Sequence, residues 1–171
     1  MVVDEIFDVV DERDEVTGRE LRREVHRLGL RHRAVHVLVF NASGHVFLQK
    51  RSKLKDTFPG AWDSSASGHV DHGETYDACA VRELREEIGL RTILAPKRLF
   101  KIDACPRTGM EFVWVYRCEA EGPFVLKPDE LEAGGWFAPE VVTRWLRESP
   151  DQFAGGMIVI WDRLESDKHF G

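Results

Sequence analysis

Ala34-Val-His-Val-Leu-Val-Phe40 is a nearly unbroken apolar run, too short to cross a bilayer and too continuous for a strand with one wet face. A strand of this kind is covered on both sides, so the sheet that holds it needs a layer of structure above and below. Asn41-Ala42-Ser43-Gly44 is turn chemistry, and Val46 and Leu48 then alternate with less apolar neighbours, which predicts a hairpin of 34–40 with 45–50. Upstream, Thr17-Gly18-Arg19-Glu20 has the pattern of a capping box, with Leu21, Val25 and Leu28 on one helical face and Gly29 at the end, predicting a helix there. Phe58-Pro59-Gly60 interrupts any pattern and makes 51–62 a loop. Thr75 to Ile88 reads as a helix with Val81, Leu84 and Ile88 on its apolar stripe and Gly89 as C-cap. Strands are predicted near 97–104 and 111–119, and a helix opened by Pro139 and closed by Pro150. This mixture of hairpins, strands and helices predicts an α+β fold, an α/β/α sandwich around a mixed sheet, over a doubly wound parallel one.

A chain of 171 residues with 43% hydrophobic content has apolar material for one core. The expected organisation is a single domain, 1–171, with 1–30 as an N-terminal strand-helix extension. Twenty-four basic against thirty acidic residues give a net charge of −6, which argues against nucleic acid as a partner. No apolar run approaches the roughly 18 residues of a membrane span, and Met1–Glu5 lacks the start of a secretion signal. Cys79, Cys105 and Cys118 are an odd count without C-x-x-C spacing, so a reducing cytoplasm is expected. The expected assembly is a monomer or homodimer.

The chemistry concentrates between Gly68 and Leu90. Glu83, Glu86 and Glu87 stand at i, i+3 and i+4, and a helix brings all three to one side. With the apolar stripe opposite, the expectation is an anchored helix presenting three carboxylates to solvent. Such a pattern is commonly just a solvated face. As a cluster, however, hard oxygen ligands suit Mg²⁺, with Mn²⁺ as a substitute, since either ion offsets their repulsion.

The full stretch, Gly68, Glu74, Arg82-Glu83-Leu84, Glu86-Glu87 and Gly89-Leu90, resembles the Nudix box at every specified position. An accidental match is expected in about one chain in a million of this length. The sequence is therefore similar to the Nudix hydrolases over most of its length. Arg51, Pro59-Gly60 with Trp62, and Trp136-Phe137 resemble the family's usual surroundings of the box. The resemblance implies hydrolysis of a nucleoside diphosphate linked to some group X, here nucleoside di- or triphosphates as small-molecule substrates. It implies metal ligands at Glu83, Glu86 and Glu87 with the Gly68 carbonyl, and Arg82 orienting a box glutamate with Glu74 as its partner. Glu83 and Glu86 are the candidates within the helix for taking a proton from the attacking water. Relatives often carry acidic residues six and three positions before the tryptophan; Glu130 fits the first, Ala133 occupies the second, and Glu132 lies one place off. Arg51 is a candidate phosphate contact against a surface arginine. Trp62 and Phe58 read as core more than as base-stacking residues, His69 and His72 as a solvated loop, and Cys79 as a buried thiol.

The N-terminal part is similar to the subgroup around isopentenyl diphosphate isomerase, through Asp8–Glu12, the helix bearing His26, Leu30–Ala34 and Glu111. That similarity implies a second metal site from His26, His32 and Glu111. Ser67 stands where that enzyme carries its catalytic cysteine, and a serine lacks the acidity of a thiol. The isomerase is thus one alternative. A Nudix-fold module that binds nucleotides without cleaving them is the other.

Overall fold

A computed structural model describes residues 4–168. Strands β1 (Ile6–Val10) and β2 (Val16–Leu21) form a small antiparallel sheet that leads into helix α1 (Arg22–Leu28). There follow β3 (His32–Phe40), β4 (Val46–Arg51), β5 (Trp62–Asp63), β6 (Ala66–His69), α2 (Tyr76–Ile88), β7 (Lys97–Ile102) and β8 (Glu111–Glu119). The described chain ends with β9 (Leu131–Phe137), α3 (Pro139–Glu148) and α4 (Gly155–Ser166).

The apolar run sits at the centre, as a two-sided strand must. β3 runs parallel to β8 from His32↔Glu111 to Phe40↔Glu119. Val35, Val37 and Val39 face one way, onto Ala80, Leu84 and Ile88 of α2. Ala34, Leu38 and Phe40 face the other way, onto Val142 of α3 and Met157, Ile160, Trp161 and Leu164 of α4. The result is an α+β sandwich with a mixed sheet between helices, as expected.

The edge of β3 away from β8 is divided. Ala34–Val37 pair antiparallel with β6, and only Val39 and Phe40 pair with β4. The expected hairpin therefore exists but closes at two register positions, because β4 swings away to pair with β9 along Val46–Arg51. The gap so opened is filled by β6, whose end carries Gly68 and faces α2. The divided edge fixes where the box begins.

The structure departs from the sequence reading in three places. Thr17–Glu20 is not a helix start: it belongs to β2, Thr17 donates its hydroxyl to the Val9 carbonyl, and the helix begins only at Arg22 without a side-chain cap. Strand pairing satisfies a row of backbone groups where a capping box satisfies two. Gly29 does end the helix, in the left-handed conformation at φ 61°. The region 150–157, for which no element was predicted, holds a 3-10 turn and the first residues of α4. β9 was hidden by Gly134-Gly135; a Cβ at Gly134 would lie 2.4 Å from the Phe47 ring, so the glycine there makes room for an aromatic neighbour.

Candidate active site

Helix α2 is fixed at both ends. Thr75 accepts a hydrogen bond from the Ala78 amide as N-cap, and at the C-terminus Gly89, at φ 70°, donates its N–H to the Arg85 carbonyl while the Leu90 N–H reaches the Leu84 carbonyl. Its buried face is Cys79, Ala80, Glu83, Leu84, Glu87 and Ile88, while Val81 is only half-buried. This corrects the expectation of three carboxylates on a wet face opposite an apolar stripe. Glu83 is 8% exposed and Glu87 2%; Glu86 alone opens to solvent. The reason lies in β6. A Cβ at Gly68 would stand 2.0 Å from Glu83 Oε1 and 2.2 Å from its Cδ, so the missing side chain is the space the carboxylate occupies. One residue earlier, the Ser67 amide donates to Glu87 Oε2 at 2.9 Å. The two buried carboxylates are thus seated against the backbone of a strand.

Arg82 organises the rim. Its Nε and Nη2 donate to the two oxygens of Glu74, both at 2.9 Å, a bidentate fork. Nη2 also donates to the His69 carbonyl at 2.9 Å, and Nη1 to Glu83 Oε1 at 2.6 Å, with Glu86 Oε2 at 3.4 Å. Burial works to raise Glu74, but the Arg82 hydrogen bonds outweigh it and hold its pKa below the usual value. Burial pushes Glu83 up to about 7 against the pull of Arg82, with Glu86 and Glu130 adding repulsion. Glu87 is driven well above the ordinary range, by burial first and by Glu83 second.

Two buried acids that repel each other, with one arginine beside them, form a site short of positive charge. The donors are carboxylate oxygens with a glycine carbonyl close by. That chemistry fits a hard divalent cation such as Mg²⁺ or Mn²⁺.

Of the acidic candidates outside α2, Glu130 is close enough to repel both Glu83 and Glu87. Its oxygens accept from Lys55 Nζ at 2.9 Å and Lys127 Nζ at 2.7 Å. Half-burial raises its pKa, but the two lysines win and hold it down to about 2. Glu132, in contrast, faces Lys50 at 4.0 Å. Arg51 is not a loose surface arginine. Its Nε and Nη2 donate to the carbonyl and hydroxyl of Thr57 and its Nη1 lies 3.5 Å from Asp63, so it organises the 51–62 loop. Trp62 packs edge-on against Phe137 and Trp145, in the core as expected, whereas Phe58 is half-exposed at φ 45°.

A second cluster lies next to the first. Ligand atoms of His26, His32, His69 and Glu111 all fall within 4.8 Å of one another. His69 Nε2 is 2.9 Å from Glu111 Oε1, and His32 Nε2, buried and without a hydrogen-bond partner, is 3.5 Å from the same oxygen. Burial, then the other two imidazoles, lowers His26 to about 4. Three nitrogens and a carboxylate suit a borderline ion such as Zn²⁺. His69 was missed: it is not in a solvated loop but on β6, aimed at β8, and its one-residue offset from Gly68 was the available signal. His72 is tied to Asp8 at 2.6 Å. Cys79 is buried, and burial pushes its thiol far up, so it stays protonated.

Comparison with known proteins matches this arrangement. The family model for the NUDIX domain matches residues 30–155. The chain is 40% identical over 159 residues to an uncharacterised Nudix hydrolase of Streptomyces coelicolor, covering 84% of this chain and 88% of that one. It is 34% identical over 140 residues to a Nudix hydrolase of Deinococcus radiodurans, covering 81% and 82%. A crystal structure from Deinococcus radiodurans superposes with a TM-score of 0.81 at 30% identity, covering 93% of this chain and 98% of that one. A MutT protein structure from Methanosarcina mazei shares the fold at a TM-score of 0.67 and 19% identity, over 79% and 93%. With Gly68, Glu74, Arg82, Glu83, Glu86, Glu87 and Gly89 placed along helix α2 and the strand beside it, the chain belongs to the Nudix hydrolase family.

Proposed function

We propose that the protein is a divalent-metal-dependent hydrolase of nucleoside di- and triphosphates, cleaving a phosphoanhydride by attack of an activated water. The observation that carries this reading is the buried pair Glu83 and Glu87, seated on β6 with Glu86 at its mouth and Arg82 hydrogen-bonded to Glu83. Acids buried in this way cost stability unless they serve a ligand.

Glu83, Glu86 and Glu87, with the Gly68 carbonyl, would hold Mg²⁺, for which Mn²⁺ substitutes. The cation supplies neutralisation of the phosphate oxygens and a more acidic bound water. The remaining work is positioning, which belongs to the chain. The Glu74–Arg82 fork fixes the orientation of the guanidinium against the His69 carbonyl, and its remaining nitrogen aims Glu83. Glu83 and Glu86 divide between them the tasks of ligation and of accepting the water's proton. The neighbouring His26, His32, His69 and Glu111 form a second cation site in this reading, with the orphaned His32 Nε2 as its buried donor.

The isomerase alternative is disfavoured at Ser67, whose side chain carries no thiol and whose amide is engaged with Glu87. The binding-module alternative is disfavoured by retention of every box carboxylate. The experiment is a panel of nucleoside di- and triphosphates, nucleotide sugars and dinucleoside polyphosphates with Mg²⁺ or Mn²⁺, products identified, and isopentenyl diphosphate included. Release of orthophosphate or pyrophosphate from nucleotides, abolished by chelator, is expected. Intact nucleotides with isomerised isopentenyl diphosphate, or tight binding without product, would overturn the reading.

A further inference from the structure

We propose that Lys55 and Lys127 are the phosphate-binding cations of this site and that Glu130 stores them until a diphosphate arrives. The inference rests on the hydrolase reading above and assigns residues that no box motif contains.

A single lysine is enough to neutralise Glu130, yet each of its oxygens carries one: Lys55 Nζ on Oε2 and Lys127 Nζ on Oε1. The triad holds one more positive than negative charge beside a strongly acidic cluster. Its backbone is pinned to that cluster. The Lys127 amide donates to the Glu87 carbonyl at 2.9 Å, the Glu130 and Leu131 amides turn back onto the Lys127 carbonyl, and the Ser52 amide donates to the Glu130 carbonyl at 2.8 Å. The anchored turn carries the Lys127 side chain, 42% exposed, and the loop after β4 brings Lys55, 26% exposed, to the same carboxylate. Both tips lie within the field of the box, since Lys55 acts on Glu87 and Lys127 is acted on by Glu83 and Glu86. The nearby arginines are already engaged, Arg82 by Glu74 and Glu83, Arg51 by Thr57 and Asp63.

The two ammonium groups stand at most two hydrogen bonds and one carboxylate apart. That spread suits non-bridging oxygens on adjacent phosphates, which together carry more negative charge than the one carboxylate the lysines share. On binding, each lysine exchanges a Glu130 oxygen for a phosphate oxygen, and Glu130 is left beside the box as a free and more basic carboxylate. The ligand class is a diphosphate group, whatever nucleoside or X it bears.

The test is calorimetric titration of imidodiphosphate into Mg²⁺-loaded protein, with Mn²⁺ affinity measured separately by electron paramagnetic resonance. Lys55→Gln and Lys127→Gln each weaken imidodiphosphate by about tenfold without weakening Mn²⁺, and the arginine replacements restore binding. Glu130→Gln, which frees both lysines, binds imidodiphosphate at least as tightly as the parent while its turnover falls. A purely structural ion pair predicts a lowered Tm for all three glutamine variants with wild-type imidodiphosphate affinity, and that result overturns the assignment. If the parent protein binds imidodiphosphate and hydrolyses nucleotides but both lysine variants match it, this inference alone fails. If the parent does neither, the hydrolase reading fails with it.

Discussion

Gly68→Ala is a one-carbon test of how the box is assembled. The added Cβ would meet Glu83 at 2.0 Å from Oε1, 2.2 Å from Cδ and 2.8 Å from Cγ, all inside contact distance. The carboxylate must leave, and with it goes the 2.6 Å contact from Arg82. The fold absorbs this at about 1–3 kcal/mol, the usual range for an overpacked site, because Glu83 swings toward solvent and sheds a buried charge. Metal affinity is expected to fall about 10–100-fold, equivalent to about 1.4–2.7 kcal/mol. Gly18→Ala is the matched control, since a Cβ there meets nothing within 4 Å. The assay is Mn²⁺ titration by electron paramagnetic resonance, alongside Mg²⁺-dependent nucleotide hydrolysis and a thermal melt of each variant. A Gly68→Ala protein with parental Mn²⁺ affinity and activity would refute the claim that Glu83 occupies the glycine's space as a working ligand.

Glu87→Gln keeps an acceptor for the Ser67 amide and removes only the buried charge, so turnover should drop by about 100-fold or more with Tm unchanged or raised; an active variant would contradict the ligand assignment. Without metal, burial holds the Glu83 pKa up to about 7 in the folded protein, against the ordinary 4.5 of a glutamate. The folded state then holds a proton that the unfolded chain has already released, so this group's contribution falls as pH rises through that window. Glu83→Gln should therefore gain on the parent by up to about 3 kcal/mol between pH 5 and 8 in urea unfolding, and saturating Mg²⁺ should erase the difference. His26, lowered to about 4, acts with the opposite sign below 6.5 and is shared by both proteins, so it cancels in the comparison. Asp14 receives Arg33, Tyr76 and Lys101 at 2.5–2.8 Å and pins the β1–β2 turn to the main domain; Asp14→Ala should cost about 2–3 kcal/mol and lower Tm by about 5–10 °C, read by calorimetry.

Where pattern and packing agreed, the fold was legible before any coordinates. Ala34–Phe40 announced a two-sided strand, Thr75 and Gly89 bracketed α2, and Glu111–Glu119 alternates over its predicted length. The failures were tertiary. Thr17–Glu20 has local capping chemistry, but β1 offered it a partner strand that no local window contains. Gly155-Gly156 and Gly134-Gly135 carry no helix or strand pattern, whereas Gly134 in fact gives room to the Phe47 ring and a Cβ at Gly155 would meet the Phe58 ring at 3.2 Å. The site divides the same way. Spacing put Glu83, Glu86 and Glu87 on one helix, but not that two of them would be drawn beneath the surface by a glycine on β6. His69, Lys55 and Lys127 carry no motif; only the divided edge of β3 and the turn before β9 bring them in.

The central claim is that the buried carboxylates of α2 grip a cation against a diphosphate. Its most direct measurement is anomalous diffraction from crystals soaked in Mn²⁺ and imidodiphosphate. The account predicts a manganese peak bounded by Glu83, Glu86, Glu87 and the Gly68 carbonyl, touching diphosphate oxygens. Manganese bound only at His26, His32, His69 and Glu111, with Glu83 and Glu87 still closed on Arg82 and Ser67, would contradict it.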